Sequence, residues 1–445
     1  MRKFFVAAVV LLFAFTSCTK KAQQDPNILL IVVDTLAAKH LPLYNSEITI
    51  ESEFLKTISP NSWIFRDSYA ASSWTKPSVA TILTGLYPRD HGVTKMSSVL
   101  ADNIKTIPNY LQTKGYQSMS VISSSIINRS SGITKDFQIC KNVNKKDQHN
   151  TIVGDLVTDE VISFLKARDP KKPFFMFAHY FDPHINYKDH SDIYYTDPNY
   201  KGVFSGDVDI VAVRKSSTFT QTDKIQLNAL YHEEITFTER ALLRLYRYLE
   251  DSKLLDNTII IFTADHGEEL LDRGWIGHTR SLYNELMHVP LLIRAKNLSH
   301  KVIRGNVSQI DILPTILGLF NESSPLLGID LIKTKEIPAS RSVFAEVSFK
   351  SAQKIRNVDK IAIIKKLDKL ILDRKTNTYE FYDLSLDPLE ENDLINEGSY
   401  QTRIELLKKE MMDFSNKVEL QTDNDKPQIE FNKKQIRELK SLGYL

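Results

Sequence analysis

The sequence predicts an α/β fold on a mainly parallel sheet, and three short runs carry that prediction. They are Asn27-Ile28-Leu29-Leu30-Ile31-Val32-Val33-Asp34, Pro173-Phe174-Phe175-Met176-Phe177-Ala178-His179 and Thr258-Ile259-Ile260-Ile261-Phe262-Thr263-Ala264-Asp265-His266-Gly267. Each run is largely apolar on successive positions, so each reads as a strand covered on both faces, as strands are when helices flank a parallel sheet. Each also delivers Asp or His at its carboxyl end. Ligands of such sheets collect at the carboxyl ends of the strands, which makes that edge the place to look for a site.

The chain opens with Met1-Arg2-Lys3, an apolar stretch from Phe4 to Phe15, and Thr16-Ser17-Cys18. A basic start, a short apolar core and small residues predict a secretory signal peptide over residues 1–17. The stretch is short for a membrane span, although an uncleaved anchor is the alternative. Cysteine directly after small residues resembles a bacterial lipobox, with Phe15 where leucine is usual. Cys18 is therefore expected to carry lipid, residues 18–26 to form a tether, and the body to lie outside the cytoplasm. That anchors it to a bacterial membrane, on the periplasmic face or the cell surface. Cys140, the other cysteine, then has no disulfide partner, and stability rests on an ordinary core. The 57 Lys and Arg against 55 Asp and Glu leave no basic excess, which argues against nucleic acid as a partner.

Between the first two strands lies Ser73-Trp74-Thr75-Lys76-Pro77-Ser78, followed by Val79-Ala80-Thr81-Ile82-Leu83-Thr84-Gly85. Proline two residues after a small hydroxyl residue signals a helix start, because its missing N–H costs nothing in the first turn. Thr75 is expected at or just before the N-cap, beside free N–H groups and the positive end of the helix dipole, a setting that suits a tetrahedral anion. Leu227 to Leu249 has helical apolar spacing, and Ile312 to Phe320 reads as a short buried helix. From about residue 335 the texture changes. Lys360–Ile364, Lys369–Leu372 and Tyr379–Leu384 read as antiparallel strands, and a helix from about Gln401 to Val418 is expected to pack on them. The expected organisation is a catalytic domain over residues 27–330 and a smaller C-terminal α+β subdomain over residues 331–445.

Asp34, Asp265 and His266 offer hard oxygens and one imidazole to a single divalent cation (Ca, Mn, Mg or Zn), and Thr75 can bring its hydroxyl to the same ion. A threonine hydroxyl needs such help to attack an ester.

These pieces together resemble the sulfatase family of the alkaline phosphatase superfamily. The resemblance runs through Ile31 to Leu36, Ser73 to Gly92, His179-Tyr180-Phe181-Asp182-Pro183-His184 and Thr263 to Glu269. It continues through Gly277-His278, Leu282 to Glu285, Val289 to Ile293, Tyr382-Asp383-Leu384, and the closing Leu439 to Leu445. It implies an alkaline-phosphatase-like central sheet flanked by helices. It also implies metal ligation by Asp34, Thr75, Asp265 and His266, with Thr75 as the nucleophile. His184 would contact the leaving group and protonate it, and His278 would stand where many sulfatases have a lysine on the ester oxygens. Lys76 would help hold the anion. His179 reads as a hydrogen-bonded core histidine, His91 as a brace for the turn before Gly92, and His288 as structural. Asp182, His184 and His278 leave open a second metal, as in related phosphodiesterases. The expected partner is an anionic ester, on a glycan or a lipid head group.

Three departures shape the chemistry. Sulfatases that turn over sulfate esters oxidise a cysteine or serine to formylglycine ahead of x-P-x-R, whereas here the position is Thr75 and the arginine is Val79. Oxidation of a secondary alcohol gives a ketone, so the aldehyde route is closed. Threonine can still attack phosphorus, which points to phosphate esters before sulfate esters. Thr35 stands where many relatives have a second aspartate ligand, and Ala37 and Lys39 replace a usual Arg and Asp. Arylsulfatase-like hydrolysis of sulfuric esters is the first alternative, and a catalytically inactive surface-binding lipoprotein is the second.

Overall fold

The computed structural model describes residues 25–143, 153–188, 190, 192–205, 209, 213–214, 218–322, 326–334, 336–350, 357–416, 429, 431, 433–441 and 444. The signal peptide, Cys18 and residues 18–24 of the tether lie outside the described residues. Among those described, no helix is long and apolar enough to cross a membrane.

Eight strands form the large sheet: β1 (Asn27–Val33), β2 (Ser62–Phe65), β3 (Gln117–Ile122), β4 (Ile139–Asn142), β5 (Phe174–Tyr180), β6 (Thr258–Ala264), β7 (Leu291–Arg294) and β8 (Lys301–Ile303). Their order is β8-β2-β7-β6-β1-β5-β3-β4. The three apolar runs are the neighbours β5, β1 and β6 at its centre, mutually parallel, with Val33 level with Tyr180 on one side and Ala264 on the other. Only β7 runs against its neighbours β6 and β2. Every residue of β1, β5 and β6 is buried, as continuous apolar strands must be when both faces are covered.

Helices supply that cover. They include α1 (Glu53–Ile58), α2 (Thr75–Thr84), α3 (Gly154–Ala167) and α4 (Gln221–Asp251). The long α4 starts at a capping box, in which Thr220 and Asp223 satisfy each other's backbone N–H. Helix α2 is buried along its whole length and stops at Gly85, whose left-handed backbone (φ 66°) a side chain would strain.

The C-terminal part is a four-stranded antiparallel meander: β9 (Ser342–Lys350), β10 (Asn357–Lys365), β11 (Asp368–Asp373) and β12 (Thr378–Asp383). Helix α5 (Gln401–Asn416) lays Ile404, Leu407, Met411 and Phe414 onto Ile361, Ile363, Leu370 and Phe381. This is the i, i+3, i+7 stripe of an amphipathic helix, and each such side chain contributes about 1.5–3 kcal/mol on burial. A buried ion pair within the C-terminal part fastens it to the catalytic unit through Asn284. Lys369 Nζ lies 2.6 Å from Glu390 and 3.0 Å from Asn284 Oδ1, and Glu390 accepts the Asn284 N–H. Helix α6 (Lys433–Ser441) then brings Leu439 and Tyr444 back into the larger apolar core.

Candidate active site

The strand order builds the site. Asp34 follows β1 and Asp265-His266 follow the adjacent β6, so two carboxylates and an imidazole leave the sheet side by side. Thr75 is the first residue of α2. The N-cap is Trp74, in extended backbone (φ −162°, ψ 155°), so the expected cap position is off by one. Thr75 Oγ1 lies 3.5 Å from both Asp34 carboxylate oxygens and 3.3 Å from His266 Nε2. One donor atom each from Asp34, Asp265 and His266 lies within 4.8 Å of the others, and all three residues are buried.

These residues fit a divalent cation. Burial holds the Asp34 carboxyl well above the usual range, and the charges of Asp265 and Glu268 push the same way. Asp265 Oδ1 accepts from the N–H groups of Thr35 and His266, while Asp265 Oδ2 has no hydrogen-bond partner. His266 Nδ1 donates to the Gly267 carbonyl at 2.8 Å, which leaves the Nε2 lone pair facing the cluster. An orphaned carboxylate oxygen, a second carboxylate and an oriented imidazole form a donor set that suits a divalent cation. Thr35 holds this arrangement at a cost. It sits at φ 56°, a region β-branched residues avoid, with its N–H on Asp265 and its carbonyl held by Tyr231 of α4 at 2.6 Å.

A second group stands across from the cluster. His278 reaches it because the Thr279 N–H donates to the Ser73 carbonyl, tying its loop to the residues that precede α2. The loop needs Gly277 (φ 112°), where a Cβ would stand 1.9 Å from Arg214 Nη2. His278 Nδ1 donates to Glu268 at 2.9 Å, and its Nε2 lies 3.0 Å from the Tyr444 hydroxyl. His184 Nδ1 donates to the Ile185 carbonyl, and its Nε2 lies 3.4 Å from the same hydroxyl. His184, His266 and His278 therefore share one tautomer, with three Nε2 lone pairs turned inward. Tyr444 lies 3.5 Å from Thr75 Oγ1, and burial holds its phenol well above the usual pKa, as a neutral O–H.

Four expectations change at this level. Burial and the neighbouring His278 lower His184 to about 3, so it presents a lone pair and holds no proton for a leaving group. Lys76 donates its ammonium to the Met96 carbonyl, and burial lowers it to about 7, so its contact is away from the cluster. Asp182 accepts the N–H groups of Val153 and Gly154 at the start of α3, at 2.7 and 3.0 Å. Both bonds fall on Oδ1 and Oδ2 has no partner, but Asp182 is not grouped with His184 and His278: among the described residues the three-ligand group is Asp34, Asp265 and His266. His179 is in the core but not hydrogen-bonded through its ring. Both ring nitrogens are orphaned, and Nε2 stands 3.6 Å from Asp34 Oδ2. Burial lowers it to about 4.

His91 braces its turn, accepting from the Val93 N–H through Nδ1 and meeting Thr81 Oγ1 through Nε2. His288 bonds the Arg66 carbonyl between Tyr44 and Tyr69. The roles of Glu268, which orients His278, and of Tyr444 are not among the expectations from sequence. Glu268 follows the Asp-His pair directly, and that adjacency is the available signal.

A central parallel sheet with acidic residues at adjoining strand ends, a hydroxyl at a helix start and an inward imidazole define an alkaline-phosphatase-like ester hydrolase. A family model described as Sulfatase matches residues 26–322. The chain belongs to the sulfatase family. It is 23% identical over 508 residues to the N-acetylglucosamine-6-O-sulfatase of Bacteroides thetaiotaomicron, covering 93% of this chain and 90% of that protein. Among solved structures it is similar to one in complex with its substrate D-glucosamine-2-N,6-O-disulfate (TM-score 0.75, 20% identity, 90% of this chain and 100% of the other). It is also similar to the phosphonate monoester hydrolase of Agrobacterium radiobacter (TM-score 0.69, 17% identity, 88% and 95%).

Proposed function

We propose that this chain is a lipid-anchored, extracytoplasmic, metal-dependent hydrolase or transferase of phosphate esters, with Thr75 as nucleophile. The observation that carries the reading is the placement of Thr75 Oγ1 at the start of α2, 3.3–3.5 Å from His266 Nε2 and the Asp34 carboxylate. Asp34, Asp265, His266 and Thr75 would hold a divalent cation, which when bound would lower the hydroxyl pKa and offset charge on the transferred group. The Thr75 hydroxyl proton has an acceptor in the Asp34 carboxylate, both of whose oxygens lie 3.5 Å away. Its oxygen bonds to phosphorus as the ester oxygen leaves, and water or an acceptor alcohol then releases the phosphothreonine. Glu268 holds His278 in the tautomer whose Nε2 faces the reacting group. The free N–H groups at the start of α2 add a fixed positive dipole there.

Hydrolysis of sulfuric esters is the second reading. The N-acetylglucosamine-6-O-sulfatase relative favours it, and a sulfated glycan would be its substrate. The phosphonate hydrolase neighbour supports the first, as does the threonine, which cannot give formylglycine. A metal-titrated screen of aryl phosphates, phosphodiesters and aryl sulfates, with Thr75→Ala alongside, separates the two. Phosphate-ester turnover that is lost in Thr75→Ala is expected. Turnover of sulfate esters alone would reverse the preference, and no turnover of either would refute both.

A further inference from the structure

We propose that Tyr444 is an internal occupant of the seat for the transferred group, and that an ester reaches Thr75 only when this side chain gives way. The inference rests on Thr75 as the nucleophile. An electrophile poised for attack stands about 3–3.5 Å from the attacking atom. The phenol oxygen of Tyr444 stands 3.5 Å from Thr75 Oγ1, with His278 Nε2 at 3.0 Å and His184 Nε2 at 3.4 Å. One small volume, bounded by the nucleophile and two imidazoles, thus holds a hydroxyl of the protein itself. The ring is set against Trp74 and Phe349, with centroids 6.5 and 6.2 Å away, and against His184 and His278. Thr75, Asp34, Asp265 and His266 are 0% exposed, His184 1%, and His278 and Tyr444 2% each. Every group that would meet the ester is thus closed to solvent while this ring is in place.

The hold is exchangeable. One phenol proton faces two imidazole lone pairs and serves one at a time, a neutral hydrogen bond that a charged ester on the cation outcompetes. Occupancy by Tyr444 lowers apparent ester affinity in proportion to the fraction of time the seat is filled.

The test uses the full chain. Diethyl pyrocarbonate acylates neutral imidazoles that solvent reaches, and mass spectrometry reads the rate at each histidine. In Tyr444→Ala, His184 and His278 are expected to label about tenfold faster or more, the factor for a seat open a tenth of the time. The exposed His300 serves as the unchanged internal reference. Unchanged labelling of both histidines overturns the proposal. In the same variant kcat/KM for aryl esters is expected to rise, and a fall, with faster labelling, overturns it by making Tyr444 a group that assists the substrate. Faster labelling with no turnover in either protein leaves the occlusion standing and removes the proposed chemistry. Tyr444→Phe keeps the ring packing and removes only the oxygen. Its affinity for orthophosphate, measured by calorimetry with the cation present, is expected to rise a few-fold, and a loss overturns the proposal.

Discussion

Substituting Asp34 by Asn tests the metal site through two opposite effects on thermal stability. Without a cation, the folded protein buries the Asp34 carboxyl beside Asp265 and Glu268 and holds its pKa well above the ordinary value. The folded state then keeps a proton that the unfolded chain has lost. Stability therefore falls as pH rises above the usual Asp range and through the raised folded value. Asparagine keeps the shape and removes the titration, which relieves about 1–3 kcal/mol near neutral pH. A cation reverses the ranking. At a hundredfold excess over its Kd it adds about 2.7 kcal/mol to wild type, about 5 °C at the roughly 2 °C per kcal/mol of a large domain. The Asp34→Asn variant loses most of that gain. The assay is differential scanning fluorimetry of chelator-stripped protein at pH 7.5, with and without millimolar Mg, Ca, Mn or Zn. Wild type is expected to melt below the variant when stripped and above it when loaded. The reasoning fails if none of the four cations raises the wild-type Tm, or if the variant shows the same rise.

Glu268→Gln keeps a hydrogen-bond acceptor for His278 Nδ1 but removes its charge. It is expected to cost about 10–100-fold in kcat/KM while Tm moves little, as steady-state kinetics and fluorimetry on one preparation would show. Lys76→Met should leave turnover within a few-fold, because its ammonium serves the Met96 carbonyl. Burial lowers Lys76 from 10.5 to about 7 in the folded state, so as pH falls from 10.5 to 7 the unfolded chain takes up a proton that the folded one refuses. The resulting loss of stability is complete below pH 7, at most about 5 kcal/mol. The methionine variant should therefore gain most in urea unfolding at pH 6 and least near pH 10, and a flat difference would show that Lys76 does not titrate this way.

The central sheet was legible because burial on both faces leaves an unambiguous mark, as in Ile28 to Val33. The polar residue closing each run was legible for the same reason: nothing apolar is needed once the strand leaves the core. Where side chains turn afterwards was not. Asp182 and His184 sit two apart, yet one accepts the N–H groups at the start of α3 and the other meets the Tyr444 hydroxyl. Lys76 adjoins the nucleophile, but helix geometry sends successive side chains about 100° apart, and its stem runs to Met96. Tyr444 is 369 residues from Thr75, and no local pattern marks a contact made by tertiary packing alone. His179 looked like an ordinary core histidine because the Asp34 carboxylate beside it comes from the neighbouring strand.

The shared tautomer of His184, His266 and His278 sets a sequence of events. With each Nδ1 proton committed to a carbonyl or carboxylate, an arriving anion meets lone pairs from three imidazoles and two buried acids. The ester has little to gain there until the cation is in place. Assembly would then be ordered, cation first and ester second, so metal supply would gate whether the protein engages its substrate at all.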